Sequence, residues 1–403
     1  MARGLIIAAP SSGVGKTTLT LGLIAALTQA GQRVRPFKVG PDYIDPGYLS
    51  AAAGGVPCAN LDPWAMGEAT LAGLVATVQD GEVALVEGVM GLHDGPGSTA
   101  ALARKTGWPL LLVVDASKSA QTAAAVAEGL ALRDPDLKIG GFVFNRVASA
   151  RHAAKVRAGL RAGLREAVPH WFLPPSPQVT LPSRHLGLHQ VQELCDVKTF
   201  LATVADWAAP LCPALELAEQ SQLTGAAALT LQPPKTWPAL GLTFAYPHTS
   251  VPENRIFLPG GYPELYLEAI RADPDFLPSL RQAAAAGVPI YGECGGFMVL
   301  GQAIIDAKGQ RHDMAGLLPL ITTFANRQRH LGYREIEVRA DFALGHAGES
   351  WRGHEFHYSQ VAWAGEAEPL FQARDADGVD LGPQGQRRGT VAGSYLHLID
   401  KFA

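Results

Sequence analysis

One run near the N-terminus, Ala9-Pro-Ser-Ser-Gly-Val-Gly-Lys-Thr-Thr18, constrains the fold of this 403-residue chain more than any other feature. Before it, Leu5–Ala9 reads as an apolar strand. After it, residues 17–30 carry Leu19, Leu23, Ile24 and Leu27 at helical spacing, and Gly31 follows as a C-cap. Strand, glycine loop and helix in this order make an anion cradle. Loop N–H groups curl round a phosphate, and the helix N-terminus adds a favourable dipole. Ser12, Gly13, Gly15, Lys16, Thr17 and Thr18 are therefore expected to bind a nucleotide. Lys16 would reach its terminal phosphates, and the Thr17 hydroxyl would help to hold magnesium. Pro10 stands where such loops usually open with glycine, so only the later part of the pattern is standard. The plain alternative, a glycine turn before a helix, is disfavoured by the combined context.

Similar strand–helix units follow, with strands expected near Val83–Val86, Leu110–Val114 and Gly141–Phe144. That alternation argues for a mostly parallel sheet with helices on both faces. In such sheets ligands gather beyond the carboxyl ends of the strands. Glu87 and Asp115 both end strands there, and either could bind magnesium. For Asp115, before Ala116-Ser117-Lys118, a helix N-cap is an even alternative. The segment Phe37-Lys-Val-Gly-Pro-Asp-Tyr-Ile-Asp-Pro-Gly47 puts Asp42 and Asp45 on a third loop at this edge, where ordinary turn chemistry is the competing reading.

Length favours two domains. We expect a synthetase domain over 1–208, a linker over 209–238, rich in Ala, Gln, Leu and Pro, and a second domain over 239–403. Apolar residues at 47% and charged residues at 17% fit a packed globular chain. A net charge of -4 without a basic stripe argues against nucleic acid or an anionic membrane surface as partner. The N-terminal apolar run is too short for a signal peptide, and no later segment reads as a bilayer span. Cys58, Cys195, Cys212 and Cys294 are scattered, which suits a reducing, cytoplasmic setting without disulfides or structural zinc.

Cys294 stands apart from the other three. In Ile290-Tyr-Gly-Glu-Cys-Gly-Gly-Phe297 it has the surroundings of a nucleophile elbow: a strand, a sharp glycine-flanked turn and a helix. The helix N-terminus favours the reactive thiolate. His397, in Gly393-Ser-Tyr-Leu-His397, is the candidate base. The backbone of Gly260 and Gly261, within Leu258-Pro-Gly-Gly-Tyr-Pro-Glu264, is the candidate oxyanion donor. Cys58, Cys195 and Cys212 read as packing residues. Arg352-Gly-His-Glu-Phe-His-Tyr358 lacks His-Glu-x-x-His spacing and shows no third ligand, so substrate or interdomain contact suits it better than zinc.

Taken together these segments, with Arg184-His-Leu-Gly-Leu188, resemble the cobyrinic acid/hydrogenobyrinic acid a,c-diamide synthase family of cobalamin biosynthesis. They cover nearly the whole chain in family order. The Lys38–Pro46 segment separates that family from cobyric acid synthase, which amidates other side chains of the same ring. The resemblance implies a dethiobiotin-synthetase-like α/β domain followed by a class I glutamine amidotransferase α/β domain. It further implies ATP and Mg2+ as cofactors, with a corrin carboxylate and L-glutamine as substrates. Cys294 would release ammonia from glutamine with His397 as base, and the first domain would phosphorylate the carboxylate that ammonia then attacks. Asp42, Asp45 and Glu87 would lie near that substrate and magnesium.

Two departures are visible. The Glu expected two residues after the histidine is Ile399, followed by Asp400, so the third triad member is missing or replaced. Between Leu240–His248 and Arg255–Leu258 there is no room for a helix in Thr249–Asn254, so the second domain opens short. One rival reading is a partition-type switch ATPase, but those carry a lysine where this loop has Ser11 and need no cysteine elbow. Others are a cobyric acid synthase-like amidase and a dethiobiotin-synthetase-like carboxylase with a structural C-terminal domain. Whether the ring carries cobalt, the order of amidation and the oligomeric state (a homodimer is one option) stay open.

Overall fold

The computed structural model describes residues 3–181, 183–184, 187–188, 190–194, 196–220, 242–244 and 254–402. The chain divides into two compact units: Met1–Trp64 with Glu68–Leu229, and Ala65–Gly67 with Thr230–Ala403.

The first unit is built on β1 (Arg3–Ala8), β2 (Arg33–Val39), β3 (Ala59–Leu61), β4 (Glu82–Glu87), β5 (Leu110–Asp115), β6 (Ile139–Asn145) and β7 (His170–Phe172). They lie in the order β3-β2-β4-β1-β5-β6-β7, and each neighbouring pair is parallel. Leu5, Ile6 and Ile7 of β1 and Leu110–Val113 of β5 are fully buried, as strands covered on both faces must be. The order reverses at β1, between β4 and β5, and the loop leaving β1 there is the glycine loop.

Helix α1 (Lys16–Gln29) is buried continuously from Leu19 to Leu27. It packs against the helix Val197–Ala208, closely enough that a Cβ on Gly22 would lie 2.5 Å from the Val204 carbonyl oxygen. A 3-10 turn, Val191–Glu193, comes ahead of this helix. The linker expected from 209 is corrected. Ala209–Leu217 is a 3-10 segment burying Leu211 and Ala214 in the core of the first unit, and Glu219–Gln220 pairs antiparallel with β1. Its low charge is that of a buried cover rather than a spacer; residues 221–238 lie outside the described residues. Val197–Leu217 is also apolar and long enough to cross a bilayer by length and composition, contrary to the sequence expectation. Val204, Ala205 and Ala208 are nevertheless buried, with Ala205 in the core of the first unit.

In the second unit the strand Ile290–Glu293 runs parallel between Ile256–Leu258 and Val391–Ser394, with Gln386–Arg388 antiparallel beyond. A second sheet, wholly antiparallel, has the order Asp380–Gln384, Phe371–Asp375, His330–Val338, Ser350–His357, Leu396–Lys401. Antiparallel strands therefore accompany the parallel ones in the domain expected to be α/β. The chain leaves Val391–Ser394 through Tyr395 straight into Leu396–Lys401, changing sheets as it does so. Leu242–Phe244 pairs with Gly260–Gly261. The rest of Leu240–His248, and Thr249–Asn254 apart from Asn254, lie outside the described residues.

Candidate active site

In the first unit the glycine loop turns through positive φ at Gly13 (80°) and Gly15 (100°), conformations open to glycine at little cost. Asn145, at the end of β6, donates from Nδ2 to the Val14 carbonyl at 2.8 Å and so braces the loop. A Cβ on Gly15 would lie 2.5 Å from that nitrogen. The loop opens on a cavity of about 630 Å³. Ser12, Gly13, Gly15, Lys16, Thr17 and Thr18 line it, together with Asp42, Asp45 and Glu87.

Behind the cavity lies a charge cluster. Lys38, 3% exposed, reaches Asp45 at 2.6 Å, Glu87 at 3.0 Å and Asp42 at 3.4 Å. Burial alone would lower the Lys38 pKa, but the three carboxylates hold it well above its ordinary value. Burial and the neighbouring Asp42 charge push Asp45 up, so the pocket carries more negative charge than Lys38 balances comfortably. Asp42 is itself held down, against its burial, by Lys38 and the Ile44 and Asp45 N–H groups. Thr17 Oγ1 donates to Glu87 Oε1 at 2.5 Å and lies 3.5 Å from Asp45 Oδ2. Glu87 Oε2 is buried without a hydrogen-bond partner among the described residues. A hydroxyl and two carboxylates, one of them with an orphaned oxygen, form a donor set that suits a hard divalent cation. Lys16 donates to the Ser11 and Met90 carbonyls, and burial with Lys38 nearby lowers its pKa to about 8.

Asp115, expected as a magnesium ligand, does not join this cluster. Its carboxylate is taken by Arg146 at 2.5 Å and by the Ser117 N–H at 2.7 Å, the turn-capping role weighed against it. Arg146 in turn donates to the Gly13 carbonyl, so Asp115 supports the loop from behind. Neither Asn145 nor Arg146 stood out in the sequence, because neither belongs to a local pattern.

In the second unit Cys294 follows the central strand and is 4% exposed. Its backbone has φ 49° and ψ −102°, a strained conformation expected at a nucleophile elbow. The flanking glycines make that turn possible. A Cβ on Gly296 would lie 2.2 Å from the Leu258 carbonyl oxygen, and one on Gly295 would lie 2.9 Å from Gly261 N. The Gly261 backbone thus comes up beside the residue after the nucleophile, where the donors of an oxyanion hole converge. Gly260 precedes it in the same short strand.

The sheet-to-sheet crossing after Ser394 brings His397, 1% exposed, to the sulfur. Its ring is hydrogen-bonded to Cys294, and its Nδ1 meets Glu293 Oε1 at 2.8 Å. Burial would lower the His397 pKa, yet the Glu293 carboxylate and the Cys294 sulfur together push it up to about 10. The sequence showed no orienting carboxylate after His397; in space one stands immediately before Cys294.

Near the sulfur, which is 3.7 Å from the Phe356 carbonyl, His330, Glu355 and His357 place ligand-type atoms within 4.8 Å of one another. His330 supplies the third ligand-type side chain that the Arg352–Tyr358 segment lacks by itself. These side chains are already engaged. His357 bonds Glu355 and the Ser359 carbonyl, each at 2.9 Å, while Arg334 holds the other Glu355 oxygen at 2.7 Å. Against its burial, His357 and Arg334 hold Glu355 down to about 2. Of the other cysteines, Cys58 is buried and Cys212 half-buried; Cys195 lies outside the described residues.

Residues 5–188 match the family model for the CobQ/CobB/MinD/ParA nucleotide binding domain, and residues 238–401 that for the CobB/CobQ-like glutamine amidotransferase domain. The chain is similar to the hydrogenobyrinate a,c-diamide synthase of Rhizobium meliloti, 43% identical over 98% of this chain and 99% of that one. It is similar to the enzymes of the same name from Mesorhizobium japonicum and Rhodobacter capsulatus, each 42% identical over 98% or more of both chains.

Proposed function

This chain belongs to the hydrogenobyrinate a,c-diamide synthase family, glutamine-dependent ligases of cobalamin biosynthesis, and we propose that its two units divide that reaction between them. The first unit activates the a and c carboxylates of the ring with ATP, and the second supplies ammonia from glutamine. The observation that carries this reading is the match along 98% of the chain to relatives so named, with both halves of the chemistry represented. Those names favour the metal-free ring, hydrogenobyrinate, over cobyrinate.

A carboxylate is a poor acyl donor until one of its oxygens becomes a leaving group. In the first unit the ring carboxylate attacks the terminal phosphorus of ATP, and the bond to the bridging oxygen breaks to release ADP. Ammonia then attacks the acyl phosphate carbon, loses a proton and expels phosphate. The N–H groups of the glycine loop and Lys16 hold the phosphates. Magnesium, for which Thr17, Glu87 and Asp45 are the fitting residues, would neutralise phosphate charge there. Asp42 and Lys38 fix the loop that faces the reacting group.

In the second unit the Cys294 sulfur attacks the glutamine carboxamide, and His397 protonates the departing nitrogen. The N–H groups of Gly261 and Gly295 face the oxyanion. Water then cleaves the thioester, releasing glutamate. The direct test supplies hydrogenobyrinate or cobyrinate with ATP and glutamine and reads products by mass. Two amides added to hydrogenobyrinate are expected; ATP hydrolysis without amidation of either ring would overturn the assignment and return the switch-ATPase reading.

A further inference from the structure

We propose that Glu293, the residue immediately before the nucleophile, is the positioning carboxylate of the glutaminase site, taking the part that a Glu two residues after the histidine plays in class I amidotransferases. This rests on the glutaminase reading above. At the usual position Ile399 is an apolar side chain, 3% exposed, with nothing to accept a proton. The next residue, Asp400, accepts from the Lys401 N–H at 2.9 Å.

Glu293 is 2% exposed, and both of its oxygens are used. Oε1 meets His397 Nδ1 at 2.8 Å, and Oε2 accepts from the Leu398 N–H at 3.1 Å. The second bond ties the carboxylate to the backbone of the strand that carries the histidine, so carboxylate and ring cannot drift apart independently. With Nδ1–H given to Glu293, the other ring nitrogen is left to exchange a proton with the sulfur. Because Glu293 and Cys294 are consecutive, the turn at Cys294 sets carboxylate and thiol against the same imidazole.

Stability alone does not explain such a pair. Burying an ion pair costs about as much desolvation as its attraction returns, and apolar residues of similar size often stabilise a core equally well. A buried carboxylate on the far nitrogen of a base is instead the arrangement that fixes a tautomer and supports the imidazolium formed during catalysis. The titratable groups facing His397 are Glu293, Cys294 and, across the paired strand, His354. Glu293 and Cys294 together hold the ring protonated up to about pH 10.

The test is Glu293→Gln in the full chain, which keeps the shape and removes the charge. Glutamine hydrolysis should lose about 10⁴-fold in kcat, the scale seen when the orienting carboxylate of a Ser-His-Asp site is neutralised, with KM for glutamine unchanged. Its alkaline limb should move down from about pH 10, because the imidazolium has lost its partner. Amidation fed by ammonium should remain, which separates this result from misfolding. Wild-type kcat, or a slowed rate whose alkaline limb has not moved, would overturn the proposal. If the variant does not fold, a histidine NMR titration of the unsubstituted chain, assigned with His397→Gln, decides. A His397 ring protonated up to about pH 10 supports the proposal, and one titrating near 6.5 refutes it. Failure of the unsubstituted chain to amidate from either donor would be a failure of the function assigned above, not of Glu293.

Discussion

Lys16 carries a pKa of about 8 because it is buried beside Lys38, and polyphosphate bound at the loop supplies the negative charge that would raise it. Nucleotide binding near pH 8 should therefore take up a proton, visible in calorimetry as a heat that depends on the buffer's ionisation enthalpy. Heats independent of buffer would mean that Lys16 is not the phosphate contact. A second expectation separates two carboxylates. Glu87→Gln should raise the magnesium requirement of the synthetase by at least the ~10–100-fold typical of losing a metal's outer-shell support, whereas Asp115→Asn should leave it near wild type. Titrating amidation against magnesium compares them, and equal effects would contradict the clustering of Thr17, Asp45 and Glu87. Residues inside a local motif (Lys16, Thr17, Cys294) could be read from the sequence because their neighbours announce them. Asn145, Arg146, His330 and Glu293 could not, since each acquires its partners only when separate strands come together.

Among elements, the parallel first sheet was legible because strands buried on both faces become continuous apolar runs with helices between them. Misreading of 209–220 came from the same property: a stretch poor in charge and rich in Ala, Leu and Pro can be a spacer or a buried cover, and periodicity does not separate the two. Contact between α1 and Val197–Ala208 makes the difference measurable. Gly22→Ala would press a methyl against the Val204 carbonyl and Ala208, and should destabilise the first unit by about 1–3 kcal/mol in denaturant titration. No loss would mean that the two helices do not pack closely. Antiparallel strands from residue 330 onward were harder to foresee. His330–Val338 and Ser350–His357 mix buried, half-buried and exposed residues without clean alternation, and the sheet change at Tyr395 leaves no local signal.

At the scale of the whole molecule, the sequence departs from its resemblance at the short opening of the second domain, which falls mostly outside the described residues. The elbow, His397 and the Gly261 backbone are nonetheless assembled in the described part of that unit. We therefore expect glutamine to remain a working nitrogen donor. The most direct measurement is amidation of hydrogenobyrinate with ATP by the unsubstituted chain and by Cys294→Ser, each given glutamine or ammonium and read by mass. The expected result is amide formation from both donors in the unsubstituted chain, and from ammonium alone in Cys294→Ser. Amidation from glutamine that survives Cys294→Ser would contradict the division of labour between an ATP-using unit and a cysteine glutaminase.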